Sequence, residues 1–468
     1  MNLPLSVPLE IIQQILNYLP VFHLIKTETV SKQFMRIIRT SPWNHENCNT
    51  RDIKIMEHVI KNYKFTNYQL YESLMTDEVI KSITNCRTIK LSSCRSFPIK
   101  NLGFLVDLVN LENLAIGFAT ALRDTDIACL TNLKKLDLSS TNITGMYFAF
   151  LKKLEELNLV CAENITDENL GTLTNLKKLR IDYVTITGSS FVSLINLETI
   201  NIDRCTTITN ENYSFLINLR KCRFGCFLHP DRINSLKFLT NPKKLAITSC
   251  ENLTNGHLNS FTKLQKLVLW NCYNINDALS PLINLHALCL THCYDIVDAA
   301  LNFLVHLQKL KLCDCPTITG SCFKFFDKLT ELDISSCEMI TNDSFAPLIN
   351  LRELSVSHCP NITNITFLSD KTIEKLSLSL FSIRDILSDY HLNFFENLYE
   401  LKIVDCDTIR GTCFSSLKNL RKLFCWYCNG ICLDNLLLLS DECVVSIKDC
   451  DWMISRDAFI SDLKKLTK

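Results

Sequence analysis

Cysteine is the residue type in this sequence with the most obvious capacity for chemistry. The chain has 24 cysteines among 468 residues. Two close pairs stand out, Cys313 with Cys315 in "LKLCDCPTITG" and Cys425 with Cys428 in "CWYC". Such spacings occur where thiolates bind a metal ion or form a redox couple. The structural alternative is that each thiol fills space in a repeated pattern.

A repeat decides between these readings. The segment around Cys315 recurs as "LCLTHCYDIVD" and "LDISSCEMITN", which contain a counterpart of Cys315 but none of Cys313. Apolar residues stand eight, five and three positions before this recurring residue, which we call the anchor. The anchors are Cys94, Ala119, Thr141, Ala162, Val184, Cys205, Phe227, Cys250, Cys272, Cys293, Cys315, Cys337, Cys359, Phe381, Cys406, Cys428 and Cys450. They define 17 units spaced 21 to 25 residues apart, which is typical of a solenoid.

Each unit predicts one short strand with one buried face, because its "LxLxx" core alternates apolar and polar residues. No unit can bury its leucines alone, so successive strands must stack in parallel. The remaining residues are too few for a long helix and favour one-turn or 3₁₀ helices. We therefore expect an α/β solenoid, a leucine-rich-repeat horseshoe of about 17 repeats with parallel strands on its concave face. It would occupy residues 86–468, including a C-terminal cap.

The repeat also interprets the cysteine pairs. Cys315 is an anchor and should point inward, whereas Cys313 should face outward from the same strand. Cys425 takes the place of a core leucine, and Cys428 is an anchor. We therefore predict no metal ion, no cofactor and no catalytic residue. Neighbouring anchors would stack about 5 Å apart, within the range of a disulfide, so reduced thiols are expected only because the sequence shows no secretion signal.

Composition excludes further classes. Lys plus Arg and Asp plus Glu both number 49, so no net positive charge favours nucleic acid or an anionic membrane. The sequence beginning "MNLPLSVPLE" lacks the basic start of a signal peptide, and no apolar run reaches the length of a membrane span. We expect a cytoplasmic location, with the nucleus as an alternative.

Residues 1–46 do not follow the repeat. A helix is predicted between Pro8 and Pro20, with apolar residues on two faces, and a second helix from Ser31. A helix that is apolar on two sides must be buried on two sides. Residues 47–85 are expected to form a helical linker or N-terminal cap.

The segment 1–46 resembles an F-box, an all-α helical module. The resemblance rests on Val7-Pro8-Leu9-Glu10, Leu19-Pro20, His23-Leu24, Val30-Ser31-Lys32-Gln33-Phe34 and Trp43, with Val7, His23 and Phe34 departing from the usual Leu, Asp and Trp. Together with the repeats, the chain resembles the F-box/leucine-rich-repeat family. Its richness in Asn, Ile and Lys resembles members from amoebae or from large DNA viruses of amoebae.

The resemblance implies a non-catalytic adaptor of an SCF-type (Skp–cullin–F-box) E3 ubiquitin ligase. The F-box would bind the Skp subunit and the repeats would capture a target protein, with this chain a monomer within the complex. The implied Skp-binding residues are Pro8, Leu9, Ile11, Ile15, Leu19, Pro20, Leu24, Val30 and Trp43. The alternative is a leucine-rich-repeat scaffold or decoy without ligase coupling, whose N-terminal segment is only a cap.

Outward-facing strand residues are the candidates for target binding. Most are polar or charged, as expected of a solvated face. Aromatic and apolar residues interrupt this pattern in two places, which fits interface anchors. The candidates are Val268, Trp270 and Lys311 in the first place, and Phe424, Trp426 and Tyr427 in the second. Alternatively, residues 451–468 fold over Trp426, and Trp270 is a lone exposed ring.

Overall fold

The structure is a computed structural model of the 468-residue chain. It describes Met35, Arg39 and residues 42–49, 52–71, 77–92, 102–225, 233–239, 242–251, 253–276, 278–368, 372–379 and 388–450. The chain divides into two compact units, Met1–Arg223 (unit one) and Phe224–Lys468 (unit two).

Unit one is built on parallel strands, each paired with the next along the chain. The strands are β1 (Pro42–Asn49), β2 (Lys64–Tyr71), β3 (Thr88–Ser92), β4 (Asn113–Ala115), β5 (Lys135–Asp137), β6 (Glu156–Val160), β7 (Lys178–Asp182) and β8 (Thr199–Asp203). The helices whose bounds the structure describes are α1 (Ile53–Asn62), α2 (Asp77–Ser82), α3 (Asp124–Ile127) and α4 (Asp167–Leu170), with 3₁₀ helices at Gly103–Asp107, Phe148–Phe150, Ser189–Val192 and Asn210–Phe215. Strand β9 (Lys221–Gly225) contains the boundary between the units.

Unit two repeats the same arrangement, again with each strand parallel to the next. Its strands are β10 (Lys244–Thr248), β11 (Lys266–Trp270), β12 (Ala287–Thr291), β13 (Lys309–Cys313), β14 (Glu331–Ser335), β15 (Glu353–Ser357), β16 (Lys375–Ser379), β17 (Glu400–Val404), β18 (Lys422–Trp426) and β19 (Val444–Lys448). The helices are α5 (Asn255–Leu258), α6 (Asp389–Leu392) and α7 (Leu433–Leu436), with 3₁₀ helices at Asn234–Phe238, Asp298–Leu301, Ser321–Phe325, Asn342–Phe345, Thr366–Leu368 and Thr412–Ser415.

The alternating sequence explains the strands. In β13, Leu310 and Leu312 are buried while Lys311 between them is exposed. Leu310 lies opposite Leu332 of β14 in the strand pairing, so the leucines of one repeat, or rung, cover those of the next. Short helices return the chain to the following strand. The predicted solenoid of parallel strands and one-turn helices is confirmed.

The sheet begins earlier in the sequence than predicted. Strands β1 and β2 lie within residues 42–71, where we expected the end of an all-α module and a helical linker; α1 is the helix described in that range, and α2 follows it at Asp77–Ser82. The leucine template missed β2 because Tyr68 occupies a core position beside Leu70, both opposite core residues of β3. The Tyr68 hydroxyl donates to the Phe65 carbonyl at 3.0 Å, which satisfies its polar end.

Aspartates connect successive rungs. The Asp298 carboxylate accepts from the backbone N–H groups of Thr319 (2.8 Å) and Cys322 (3.1 Å), on either side of Gly320. Gly320 has φ +83°, a conformation that favours glycine. The same arrangement joins Asp124 to Gly145, Asp167 to Gly188 and Asp389 to the loop containing Gly411. Burial alone would raise the pKa of Asp298, but the bonds from Thr319 and Cys322 outweigh it and lower the pKa.

Candidate target-binding face

The anchor residues form the inner wall of each repeat. Fourteen of the 17 anchors are described, and all fourteen are buried; Cys94, Phe227 and Phe381 lie outside the described residues. The residue before each described anchor has φ between +50° and +67° although none is glycine. This left-handed residue ends the strand and turns the anchor side chain inward.

The anchor thiols make weak hydrogen bonds to backbone carbonyls. The Cys315 thiol lies 3.8 Å from the Leu290 carbonyl of an earlier rung and 3.6 Å from the Cys313 carbonyl. Burial raises the pKa of the Cys272 thiol to about 12 and raises that of Cys315 as well. Because the thiolate is the reactive form, these cysteines are inert at neutral pH.

The two cysteine pairs have the predicted orientations. Cys315 is buried and Cys313 is partly exposed, whereas Cys425 and Cys428 are both buried. Across the described ranges, no group of three or more His, Cys, Asp or Glu side chains could hold a metal ion. The described cysteines are free thiols.

The second predicted patch lies on β18 and the turn after it. Phe424 and Trp426 are half-buried on the outward face, and Tyr427 is 50% exposed. Lys402 places its Nζ 4.2 Å from the centre of the Trp426 ring, and Lys448 approaches from the other neighbouring strand at 6.0 Å. The two ammonium groups hold the indole by cation–π attraction. The indole N–H is buried and has no acceptor among the described residues.

The first predicted patch spans β11 to β13. Trp270 is 47% exposed. Val268 lies opposite Cys289, which in turn lies opposite Lys311, so these side chains form one row. Lys311 is already paired with Asp333 at 2.6 Å. Strands β14, β15, β16 and β17 separate this patch from the Trp426 patch, so the six candidate residues form two clusters.

Sequence reasoning missed a polar and aromatic network beside Trp270. The Asp314 carboxylate lies 2.8 Å from His292 Nδ1 and accepts from the Tyr294 hydroxyl at 2.9 Å. The hydrogen bond with His292 is the main reason that the pKa of Asp314 is lowered. Tyr273 stacks on Tyr294 at 6.1 Å. The sequence signal that could have revealed this network is that each of two successive anchors, Cys272 and Cys293, is directly followed by a tyrosine.

The predicted Skp-binding residues cannot be placed in the same way. Pro8, Leu9, Ile11, Ile15, Leu19, Pro20, Leu24 and Val30 lie outside the described residues, as does the tail 451–468. The backbone of Trp43 is in β1, opposite Phe65 of β2. Within the described ranges, no helix combines the length and apolar character needed to cross a bilayer.

Comparison with known proteins identifies the N-terminal segment. Residues 4–46 match the F-box domain model. Among curated protein sequences, none matches the chain.

Solved structures show a likeness in fold. The chain is similar to an internalin from Listeria monocytogenes, with 20% identity over 71% of this chain and 90% of that chain and a TM-score of 0.42. It is also similar to a leucine-rich-repeat protein from Leptospira interrogans, with 17% identity over 87% of this chain and all (100%) of that chain and a TM-score of 0.44.

Proposed function

We propose that this protein is a non-catalytic substrate-recognition adaptor of an SCF-type E3 ubiquitin ligase. The F-box domain at residues 4–46 carries the proposal, since such domains bind the Skp subunit of cullin–RING ligases. The repeats supply a stack of parallel strands whose outward side chains are available to a partner, and leucine-rich repeats are typical protein-binding modules. A role in recognising ligase substrates follows from joining the two.

In this proposal, two separate regions of the chain bind the two partners. The F-box residues Pro8, Leu19 and Pro20 bind Skp, and the patches around Trp270 and Trp426 receive the target. The cysteines support folding and take no part in ubiquitin transfer, because burial keeps the anchors in the unreactive thiol form.

The test is a reconstitution with purified Skp and cullin subunits. The full chain is expected to bind Skp, and Leu19→Ala is expected to weaken binding by roughly tenfold or more, as loss of a central apolar anchor does. Trp426→Ala is the matched control and retains Skp binding. If the full chain ignores Skp, or Leu19→Ala binds as well as the parent, the ligase role fails.

The second candidate is a scaffold or decoy that binds Skp or a target without delivering ubiquitin. The richness in Asn, Ile and Lys, which resembles members from amoebae or from large DNA viruses of amoebae, is compatible with it, because sequestering a host Skp subunit requires only the F-box. Proximity labelling in cells, with and without residues 1–46, separates the candidates. An adaptor labels cullin and acquires ubiquitinated neighbours, whereas a decoy labels Skp alone.

A further inference from the structure

One groove runs along the strand face of unit two, from β11 to β17. Val268 and Cys289 line one end, and Ser355 and Ser377 line its middle. Trp270 lies on the strand that starts the groove, and Trp426 lies on β18, next to the strand that ends it. The two aromatic patches therefore flank a single groove.

Every carboxylate that lines this groove is already paired with a lysine of a neighbouring strand. The pairs are Lys309 with Glu331, Lys311 with Asp333 (2.6 Å), Lys375 with Glu353 (2.6 Å) and Lys422 with Glu400 (3.3 Å). These charges cancel locally. The middle of the groove therefore presents neutral pairs and serine hydroxyls to a ligand.

Two lysines of the groove remain without a carboxylate partner in the part of the chain that the structure describes. Lys266 lies at the β11 end and Lys402 at the β17 end. The Lys402 ammonium is held over the Trp426 ring, so its position is fixed before any ligand arrives. The unpaired charge of the groove is therefore positive, and it is concentrated at the two ends.

We propose that this groove binds an extended acidic segment of the target protein. One acidic side chain pairs with Lys266 and a second with Lys402, while apolar side chains pack against Trp270 and Trp426. The inference rests on the proposed function, because it names the kind of target that the repeat face receives. Charge complementarity at the ends supplies the specificity.

The strand spacing fixes the distance between the two acidic groups. Six spacings of about 4.8 Å separate β11 from β17, which is roughly 29 Å. An extended chain advances about 3.3 Å per residue. The acidic side chains should therefore stand about nine residues apart in the target.

The experiment uses the full chain and fluorescein-labelled peptides of about twelve residues. The probe carries two glutamates about nine positions apart, leucine at both ends and a serine–glycine middle. A second peptide has lysines in place of the glutamates, and a third has the glutamates about four positions apart. Fluorescence anisotropy is expected to show binding of the probe about tenfold tighter than the lysine peptide and severalfold tighter than the third.

Point variants locate the site. Lys266→Ala and Lys402→Ala are each expected to weaken binding of the probe about threefold to tenfold. Lys402→Glu is expected to shift the binding preference toward the lysine peptide. Lys263→Ala is the matched control: Lys263 is also exposed but lies on the segment before β11, and the substitution should leave affinity unchanged.

Three results would overturn the inference. They are equal affinity for the glutamate and lysine peptides, unchanged affinity in both alanine variants, or stronger binding of a single-stranded RNA oligonucleotide at the same lysines. A chain that binds Skp but ignores the probe refutes the groove alone. A chain that binds the probe but not Skp refutes the ligase role alone.

Discussion

The two units share one repeat but use it differently. The described anchors of unit one are Ala119, Thr141, Ala162, Val184 and Cys205, whereas every described anchor of unit two is cysteine. The outward strand residues on β3 to β8 of unit one are mostly polar, such as Asn158, Arg180 and Asn201, with Ala115 and Val160 as apolar exceptions and no aromatic ring. Those of unit two include Trp270, Phe424 and Trp426.

The comparison separates what the fold needs from what recognition needs. All these anchors are small or medium-sized and buried, but alanine and valine cannot donate a hydrogen bond. Volume, rather than the thiol, is therefore the requirement of the interior. The outward positions are free to differ, and the aromatic rings of unit two are the reason that we propose it as the half that binds the target.

The largest expected effect tests whether both units depend equally on their leucine ladders. Leu159→Ala in unit one and Leu312→Ala in unit two each remove a fully buried side chain. Each should lower the free energy of unfolding by about 2–5 kcal/mol in urea titrations. Lys311→Ala, on the adjacent outward position, is the control. A loss under about 1 kcal/mol in either unit would show that its ladder is loosely packed.

Glycine substitutions should differ in their stability cost between a position in unit two, Gly320, and the equivalent position in unit one, Gly188. A Cβ at Gly320 would lie 2.6 Å from the Ser344 Cβ, whereas at Gly188 the nearest atom is the Ile208 Cγ2 at 3.0 Å. Both residues have φ +83°. Gly320→Ala should cost about 2–3 kcal/mol and Gly188→Ala about 1–2 kcal/mol by thermal unfolding. The reverse order would contradict the closer contact at Gly320 than at Gly188.

Exchanging anchors tests the volume rule directly. Cys315→Ala, which gives unit two an anchor of unit one, should cost about 1–2 kcal/mol because it leaves a small void. Val184→Cys, the exchange in the other direction, should change stability by less than about 1 kcal/mol in the same chemical denaturation. If Cys315→Val is as costly as Cys315→Ala, the thiol hydrogen bonds matter after all.

The smallest expected effect is on the stability of the protein at acidic pH. The pKa of Asp298 is lowered in the folded protein, so its stabilising contribution is complete above its unfolded value of about 4 and disappears as the pH falls through the folded value. Asp298→Asn should remove this contribution, which is roughly 1 kcal/mol at most in the free energy of unfolding. The melting temperature of the variant should therefore depend less on pH below about pH 4 than that of the parent. Asp167→Asn should do the same in unit one, where the pKa is lowered by similar bonds. Parallel curves for variant and parent would exclude this role.

Much of this could be predicted from the sequence, because the period fixes which residues share a position. The leucine pattern identified the strands β3 to β19, and the anchor spacing placed Cys315 inside and Cys313 outside. Strand β2 was missed because Tyr68 replaces a leucine. The Asp298 bonds were missed because they join residues of successive repeats, and no pattern within one repeat reveals them.

The binding face was predicted only in outline. The residue types at outward strand positions identified Trp270 and Trp426. Whether a lysine is free to pair with a ligand, however, depends on which carboxylate of the protein lies beside it. Lys311 was a predicted binding residue, yet its charge is paired with Asp333, while Lys402, two residues before the end of its strand, has no carboxylate partner among the described residues. Strand register decides this, and register follows only from the stacked structure.

The left-handed residue before each anchor has a consequence for how such proteins diversify. These positions hold serine, asparagine, aspartate, histidine, arginine, tyrosine, phenylalanine and cysteine, all with the same backbone conformation and all at the ends of the strands. Each costs about 1 kcal/mol relative to glycine, so the chain retains side chains there despite a local penalty. A new specificity can therefore arise by exchanging these edge residues, leaving the hydrophobic interior untouched.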